Sequence, residues 1–251
     1  MPIGEVETHP YLHIGEIIGR SKLILGSFPV YECTNEDNDF KRAKRSSEGT
    51  IRFFYGSNRN SLWLKYQSYI DNGLSGPWNE NQIINSLKQR DIAISDLILS
   101  CERYIYKTKE TGEKVLDPYS SEDGALRAIK WNDKGLQKLI TNGVVKILCT
   151  SKGVLSNLEK NIILKNGFGV TDTYLSGIKQ GAFIEKIGGE QKNITKPIAK
   201  IFRVNGKLIE AIALPSPGSP QRQLKEFGFN GSDWRTYADL YFKNVFEWLV
   251  S

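Results

Sequence analysis

Four short apolar runs constrain the fold of this 251-residue chain more than any other feature. They are KLILG (22–26), DIAISDL (91–97), VVKILCT (144–150) and LIEAIAL (208–214). Each is nearly continuous in hydrophobicity, the pattern of strands covered on both faces. A strand with one wet face would alternate instead. Between them lie stretches with helical periodicity: SLWLKYQSYI (61–70), NENQIINSLKQR (79–90), DKGLQKLITN (133–142) and SNLEKNIILKN (156–166). A last one, DWRTYADLYFKNVFEWLV (233–250), repeats aromatics and aliphatics at helical spacing, with Ser232 as its expected N-cap. Strands alternating with helices predict an α/β fold, a three-layer α/β/α sandwich around a mainly parallel, four-stranded central sheet. A single domain over 1–251 is expected, since neither repeats nor a linker break the pattern.

Sites in such folds collect beyond the carboxyl ends of the strands. That rule selects four loops: Gly26-Ser27-Phe28-Pro29, Asp96 to Arg103, Thr150-Ser151-Lys152-Gly153 and PSPGSPQRQ (215–223). The last is stiffened by Pro215, Pro217 and Pro220. Such a loop suits pressing on a phosphodiester backbone with little entropy to lose, or is an ordinary strand-to-helix turn. Ser151 and Lys152 open a helix, where backbone N–H groups favour an anion. Two polar, weakly periodic stretches, 33–50 and 104–124, are expected to be inserted loops.

Composition excludes several chemistries. Cys33, Cys101 and Cys149 are scattered and odd in number, so neither a disulfide framework nor a zinc site is expected. His9 and His13 are the only histidines, which removes chemistry that needs a downstream imidazole; both are expected to be structural or surface residues. No G-x-G-x-x-G or P-loop pattern appears. No run approaches the roughly eighteen apolar residues of a membrane span, and no signal peptide opens the chain, so a cytoplasmic protein is expected. The net charge of +6, from 34 basic and 28 acidic residues, permits a polyanionic partner. The run KRAKR (41–45) is either a solvated loop or a DNA contact.

In order, LGSFPV (25–30), FFYGSNRNSLW (53–63), IAISDLILSCER (92–103) and LPSPGSP (214–220) resemble the motifs of the uracil-DNA glycosylase superfamily. The similarity is strongest to its hypoxanthine-type and mismatch-type branches, and Ser100-Cys101-Glu102-Arg103 is its most specific part. The resemblance implies a monofunctional DNA glycosylase. Such an enzyme flips a base out of duplex DNA and hydrolyses its N-glycosidic bond, leaving an abasic site. It implies DNA as partner, a monomer, and no metal or organic cofactor.

Residue by residue the carry-over is partial. Much of the superfamily has Asp or Asn where this chain has Phe28, which can stack on a base but cannot orient water. The hypoxanthine-type branch places an asparagine in the aromatic loop, and this maps onto Asn60. Asn60 either holds the water or caps the following helix. Asp96 is the second catalytic candidate, as a water activator, a stabiliser of the sugar cation or a hydrogen-bond hub. Ser27, Phe28, Phe54 and Tyr55 are the expected base-binding residues, with core packing the alternative for the aromatics. Asn58 stands where the family has proline, Leu214 where relatives carry His or Asn, and Gly218 where several carry a wedging leucine. Wedging then falls to Gln221 or Arg222, and phosphate contacts to Ser216, Ser219, Ser151 and Lys152. Glu102 and Arg103 are expected to pair with each other or with neighbours in support of the site. The substrate is a deaminated base such as hypoxanthine or uracil, or a bulky phage-type modified base. A catalytically inactive protein of the same fold that binds modified DNA is the alternative.

Overall fold

The structure is a computed structural model and describes residues 6–15, 20–30, 33, 51, 53–57, 60–74, 76, 78–117, 123–171, 184–187, 190–193, 198–229 and 231–251. Outside the described residues lie Asn58, the run 41–45 and, Cys33 apart, the expected 33–50 insertion. The chain starts with β1 (Val6–Thr8), α1 (Leu12–Gly15), β2 (Lys22–Gly26), α2 (Leu62–Tyr69), α3 (Glu80–Gln89), β3 (Ile92–Asp96) and β4 (Ile98–Arg103). It continues through β5 (Ile105–Thr108), β6 (Lys114–Asp117), β7 (Leu126–Trp131), α4 (Asp133–Thr141), β8 (Lys146–Cys149) and α5 (Lys152–Leu158). It ends with β9 (Gly169–Thr171), β10 (Ile184–Ile187), β11 (Glu190–Asn193), β12 (Ala199–Val204), β13 (Lys207–Ala213) and α6 (Trp234–Val250).

The class is α/β, and the four apolar runs are β2, β3, β8 and β13. They lie parallel in the order β3-β2-β8-β13. The sheet is nevertheless six-stranded and mixed, not four-stranded, because β12 and then β9 add on antiparallel. The cause is a tight hairpin at Asn205-Gly206, with φ values of 49° and 81°. Asn-Gly is the dipeptide that two-residue turns with both φ positive select. All five residues of β3 are buried, so both faces of the parallel strands are covered. Helix α2 packs on α6, while α4 packs on the π turn Glu159–Ile163 that continues α5.

A second sheet was not expected from the sequence. Strands β1, β4 and β7 form it, all antiparallel. Ser100 to Arg103 are therefore on a strand and not in a loop: only Leu97 separates β3 from β4. Part of the expected 104–124 loop is likewise a hairpin, β5 with β6. The cap of α6 is Asp233 in place of Ser232, since its carboxylate accepts the Thr236 N–H at 3.1 Å. Helix α3 opens with a reciprocal capping box between Asn79 and Gln82.

Arg103 clamps the two sheets together. Its Nε donates to Glu7 Oε1 at 2.8 Å and its Nη2 to the Pro29 carbonyl at 2.6 Å. Its partner is thus Glu7 on β1, across the sheet, and the Arg103 side chain is 3% exposed. Removing one member of a buried pair strands the other charge, at a cost of about 3 kcal/mol. Arg103→Ala should lower unfolding free energy by that amount in urea titrations. Lys109→Ala, which breaks the exposed Lys109–Glu113 pair, should cost less than about 1 kcal/mol.

Candidate active site

Strand register sets the site. Gly26 on β2 faces Asp96 on β3, and Leu25 faces Cys149 on β8. The Thr150 N–H donates to the Leu25 carbonyl at 2.9 Å, so Gly26, Asp96 and Thr150 share the carboxyl end of the sheet. Pairing runs past the strands: the carbonyls of Gly26 and Ser27 accept the N–H groups of Leu97 and Ile98 at 2.9 and 3.0 Å. This fixes the Gly-Ser-Phe-Pro loop beside Asp96.

The Asp96 side chain is desolvated, with the residue 2% exposed. One carboxylate oxygen, Oδ2, lies 2.9 Å from His9 Nε2, and the other, Oδ1, accepts the Tyr55 hydroxyl at 3.0 Å. His9 Nδ1 accepts the Tyr11 N–H at 3.1 Å. With Nδ1 accepting, Nε2–H is the ring's donor to Asp96. The Tyr55 hydroxyl also lies 3.4 Å from Thr150 Oγ1. Behind the carboxylate, Asn132 Nδ2 donates to the Asp96 carbonyl at 3.2 Å.

Two local features make this arrangement possible. A Cβ on Gly26 would fall 1.5 Å from the Tyr55 hydroxyl and 2.2 Å from Asp96 Oδ1, so only glycine leaves room. Tyr55 itself has φ +54°, uncommon outside glycine. The turn that holds it is closed by Ile51 N–H to the Gly56 carbonyl at 2.9 Å and Gly56 N–H to the Phe53 carbonyl at 3.0 Å. Strained backbone of this sort concentrates at functional sites.

The remaining candidates fall into separate groups. Phe28 is buried, edge-to-face with the His9 ring and beside the Arg103 guanidinium, each 5.6 Å from its ring centroid. Phe54 is wholly buried, 5.0 Å from the His9 ring, and its carbonyl accepts Trp63 Nε1–H at 2.8 Å. Both rings are core around His9 and present no open face for stacking. Ser27 and Tyr55 are half-buried. The Asn60 Oδ1 accepts the Leu62 N–H at 2.9 Å, which commits that oxygen to the start of α2. Next to it, the Ser61 N–H and hydroxyl both donate to the Pro217 carbonyl, at 3.3 and 2.8 Å. The aromatic loop and the last loop are joined there. Ser216 N–H donates to Gln223 Oε1 at 3.0 Å and Ser219 N–H to the Ser216 carbonyl at 3.1 Å. Gln221 and Arg222 stand exposed on a 3-10 turn. Ser151 Oγ caps α5 by accepting Val154 N–H at 3.1 Å, and Lys152 Nζ pairs with Glu226 at 2.8 Å.

A cleft of about 540 Å³ lies between the Pro217–Gln221 turn and the start of α6. Ser61, Lys65, Gln221, Trp234 and Arg235 line it, and the Arg235 guanidinium lies 5.1 Å from the Trp234 ring centroid. Asp96 is not among its walls; Tyr55 and His9 cover the carboxylate instead. Burial pushes the Cys149 thiol far above its ordinary value, so the strand-end cysteine is no thiolate nucleophile.

Sequence reasoning missed His9. No local pattern marks it, because its partner is 87 residues away and is reached only through the β1–β4 pairing. Among the described residues no cluster of three or more His, Cys, Asp or Glu is placed to hold a metal, and no helix is long and apolar enough to cross a membrane. No protein-family model matches the chain, and no curated protein matches it.

Gly26→Ala tests the packing. Forcing the added methyl against Tyr55 and Asp96 should cost about 2 kcal/mol, a fall in Tm of about 4–8 °C by calorimetry. Gly218→Ala, whose Cβ meets nothing within 4 Å, should stay within about 0.5 kcal/mol of the parent.

Proposed function

We propose that the chain is a monofunctional DNA glycosylase, a cytoplasmic monomer of three-layer α/β/α build that removes a modified or deaminated base from duplex DNA. The observation that carries this reading is Asp96: a desolvated carboxylate at the carboxyl end of parallel strands, between the Gly-Ser-Phe-Pro loop and the aromatic loop. A carboxylate held there suits a sugar cation better than a solvated one would, since low dielectric strengthens the attraction and the donors are already oriented. In the reaction the C1′–N bond breaks and the base leaves with its electron pair, taking a proton from solvent. A water oxygen bonds to C1′, and the proton it sheds goes to Asp96. Tyr55 must release Oδ1 before that carboxylate oxygen can meet water.

The cleft supports a strand path across Ser61, Pro217 and Gln221, with Trp234 and Arg235 supplying a stacking face and a cation. Asn60 keeps its amide N–H₂ for a water or a base edge. Gln221 and Arg222 are the wedge candidates on that rim, and Ser216 and Ser219 the phosphate contacts. Ser151 and Lys152 would have to exchange a cap and an ion pair for a phosphate.

Phe28 and the buried Leu214 stand where uracil-specific relatives carry polar base-reading groups. Loss of such groups weakens discrimination for uracil. Hypoxanthine or a bulky modified base is therefore the preferred substrate class. One observation favours the second reading, a modified-DNA-binding protein without catalysis: Asp96 is closed off under Tyr55.

Duplexes containing uracil, hypoxanthine or glycosylated cytosine, incubated with the protein in chelator and then treated with alkali, decide between the readings. Strand breaks at the modified position are expected, with uracil slowest. Asp96→Asn should cut the single-turnover rate on the order of a hundredfold, with DNA affinity little changed. Binding without breaks on every duplex would leave the non-catalytic reading; activity that needs added magnesium would refute the mechanism.

A further inference from the structure

We infer that His9 is the positioning residue of the site: it holds Asp96 Oδ2 throughout the cycle and leaves Oδ1 as the oxygen that works. This rests on the reading of Asp96 as the catalytic carboxylate. The two donors to Asp96 differ in how firmly they are held. His9 is 5% exposed, and its ring lies 5.6 Å from Phe28, 5.0 Å from Phe54 and 6.0 Å from Tyr11. Its backbone N–H donates to the Leu99 carbonyl at 2.9 Å and its Nδ1 is occupied by the Tyr11 N–H. Nothing in that setting lets the imidazole turn. Tyr55 is half-buried on a left-handed backbone turn, and its hydroxyl is already shared with Thr150. It is the contact that incoming water or substrate displaces.

The same geometry says what His9 does not do. Protonating Nδ1 would set two N–H donors against each other, at the 3.1 Å that now separates Nδ1 from the Tyr11 nitrogen. The ring therefore serves as a neutral donor with a fixed tautomer and passes no proton to the base. A histidine that merely filled space would be replaceable by any side chain of its size. A positioning histidine is replaceable only by a side chain that puts an N–H at the Nε2 position. Glutamine does so; methionine, of similar bulk, does not.

The full-length His9→Gln, His9→Met and Asp96→Asn variants are compared with the parent on hypoxanthine and glycosylated-cytosine duplexes, after thermal melts confirm folding. His9→Met should lose kcat by about 10–100-fold with KM within twofold, and His9→Gln should recover at least tenfold of the loss. In parallel, ¹H–¹⁵N spectra of the imidazoles should show His9 in the neutral Nε2–H form, with that proton shifted in Asp96→Asn. A folded His9→Met variant at parental rate, equal losses for Gln and Met, or an Nδ1–H or doubly protonated ring would each overturn the inference. An active Asp96→Asn variant would instead remove the catalytic reading on which it rests. Should no duplex be cleaved, the spectra alone decide whether His9 holds Asp96 as described.

Discussion

A buried carboxylate has to be hydrogen-bonded, because leaving one unpaired in the interior costs several kcal/mol. At Asp96 that requirement organises everything around it. One oxygen takes an N–H from a strand at the N-terminus, the other a hydroxyl from a turn some forty residues upstream of it. The turn has to adopt a left-handed backbone at Tyr55 to deliver that hydroxyl. The neighbouring strand has to end in glycine, because its backbone is where the phenol lies. Each of these is costly or restrictive in isolation, and the carboxylate is what they have in common.

The sheet was legible because burial on both faces leaves an unbroken apolar run, and all four runs are strands in mutual parallel order. The helices were legible from their period, and most ends agree to within a residue or two, as at Glu80–Gln89 behind its Asn79 cap; the exception is α5, which begins at Lys152, four residues before the periodic stretch 156–166, and passes into the π turn Glu159–Ile163. What escaped were elements whose strands do not look buried. In β12, AKIFRV mixes buried, half-buried and exposed positions, and only the Asn205-Gly206 turn signals it. Strand β4 follows β3 so closely that ILSCER reads as a loop carrying a motif, although only Leu99 in it is exposed. His9 carries no local signal at all, since its meaning comes from a pairing made across the fold.

The motifs sort differently once their partners are known. Ser61 faces the last loop, where its hydroxyl and its N–H both donate to the Pro217 carbonyl, while Asn60 Oδ1 accepts the Leu62 N–H at the start of α2. Asp96, Tyr55 and Thr150 belong to the strand ends. Tyr55 and Asn60 lie five residues apart in sequence, and Trp63 pins the turn that carries Tyr55 through the Phe54 carbonyl. The turn that carries Tyr55 is closed on itself by the Ile51–Gly56 and Gly56–Phe53 bonds, so uncovering Asp96 means breaking the Tyr55 contact within an anchored turn. That favours a change at the Tyr55 side chain and its turn.

The stretch Ser100 to Arg103 gains its role through the same connection. Strand β1 has three residues and, among the described residues, pairs with β4 alone, too little by itself to hold an N-terminal segment in place. Arg103 supplies what the ladder lacks. It grips Glu7 two residues before His9, bonds the Pro29 carbonyl of the Gly-Ser-Phe-Pro loop, and lies over the Phe28 ring, which in turn packs edge-to-face with His9. The guanidinium thus fixes both the loop beside Asp96 and the strand that runs up to Asp96's partner His9. An arginine is required for this, because a lysine ammonium has no planar fork with which to serve a carboxylate and a carbonyl at once. The packing of β1 and the hydrogen bonding of Asp96 are therefore one device, in which the stability of β1 sets how firmly His9 meets the carboxylate.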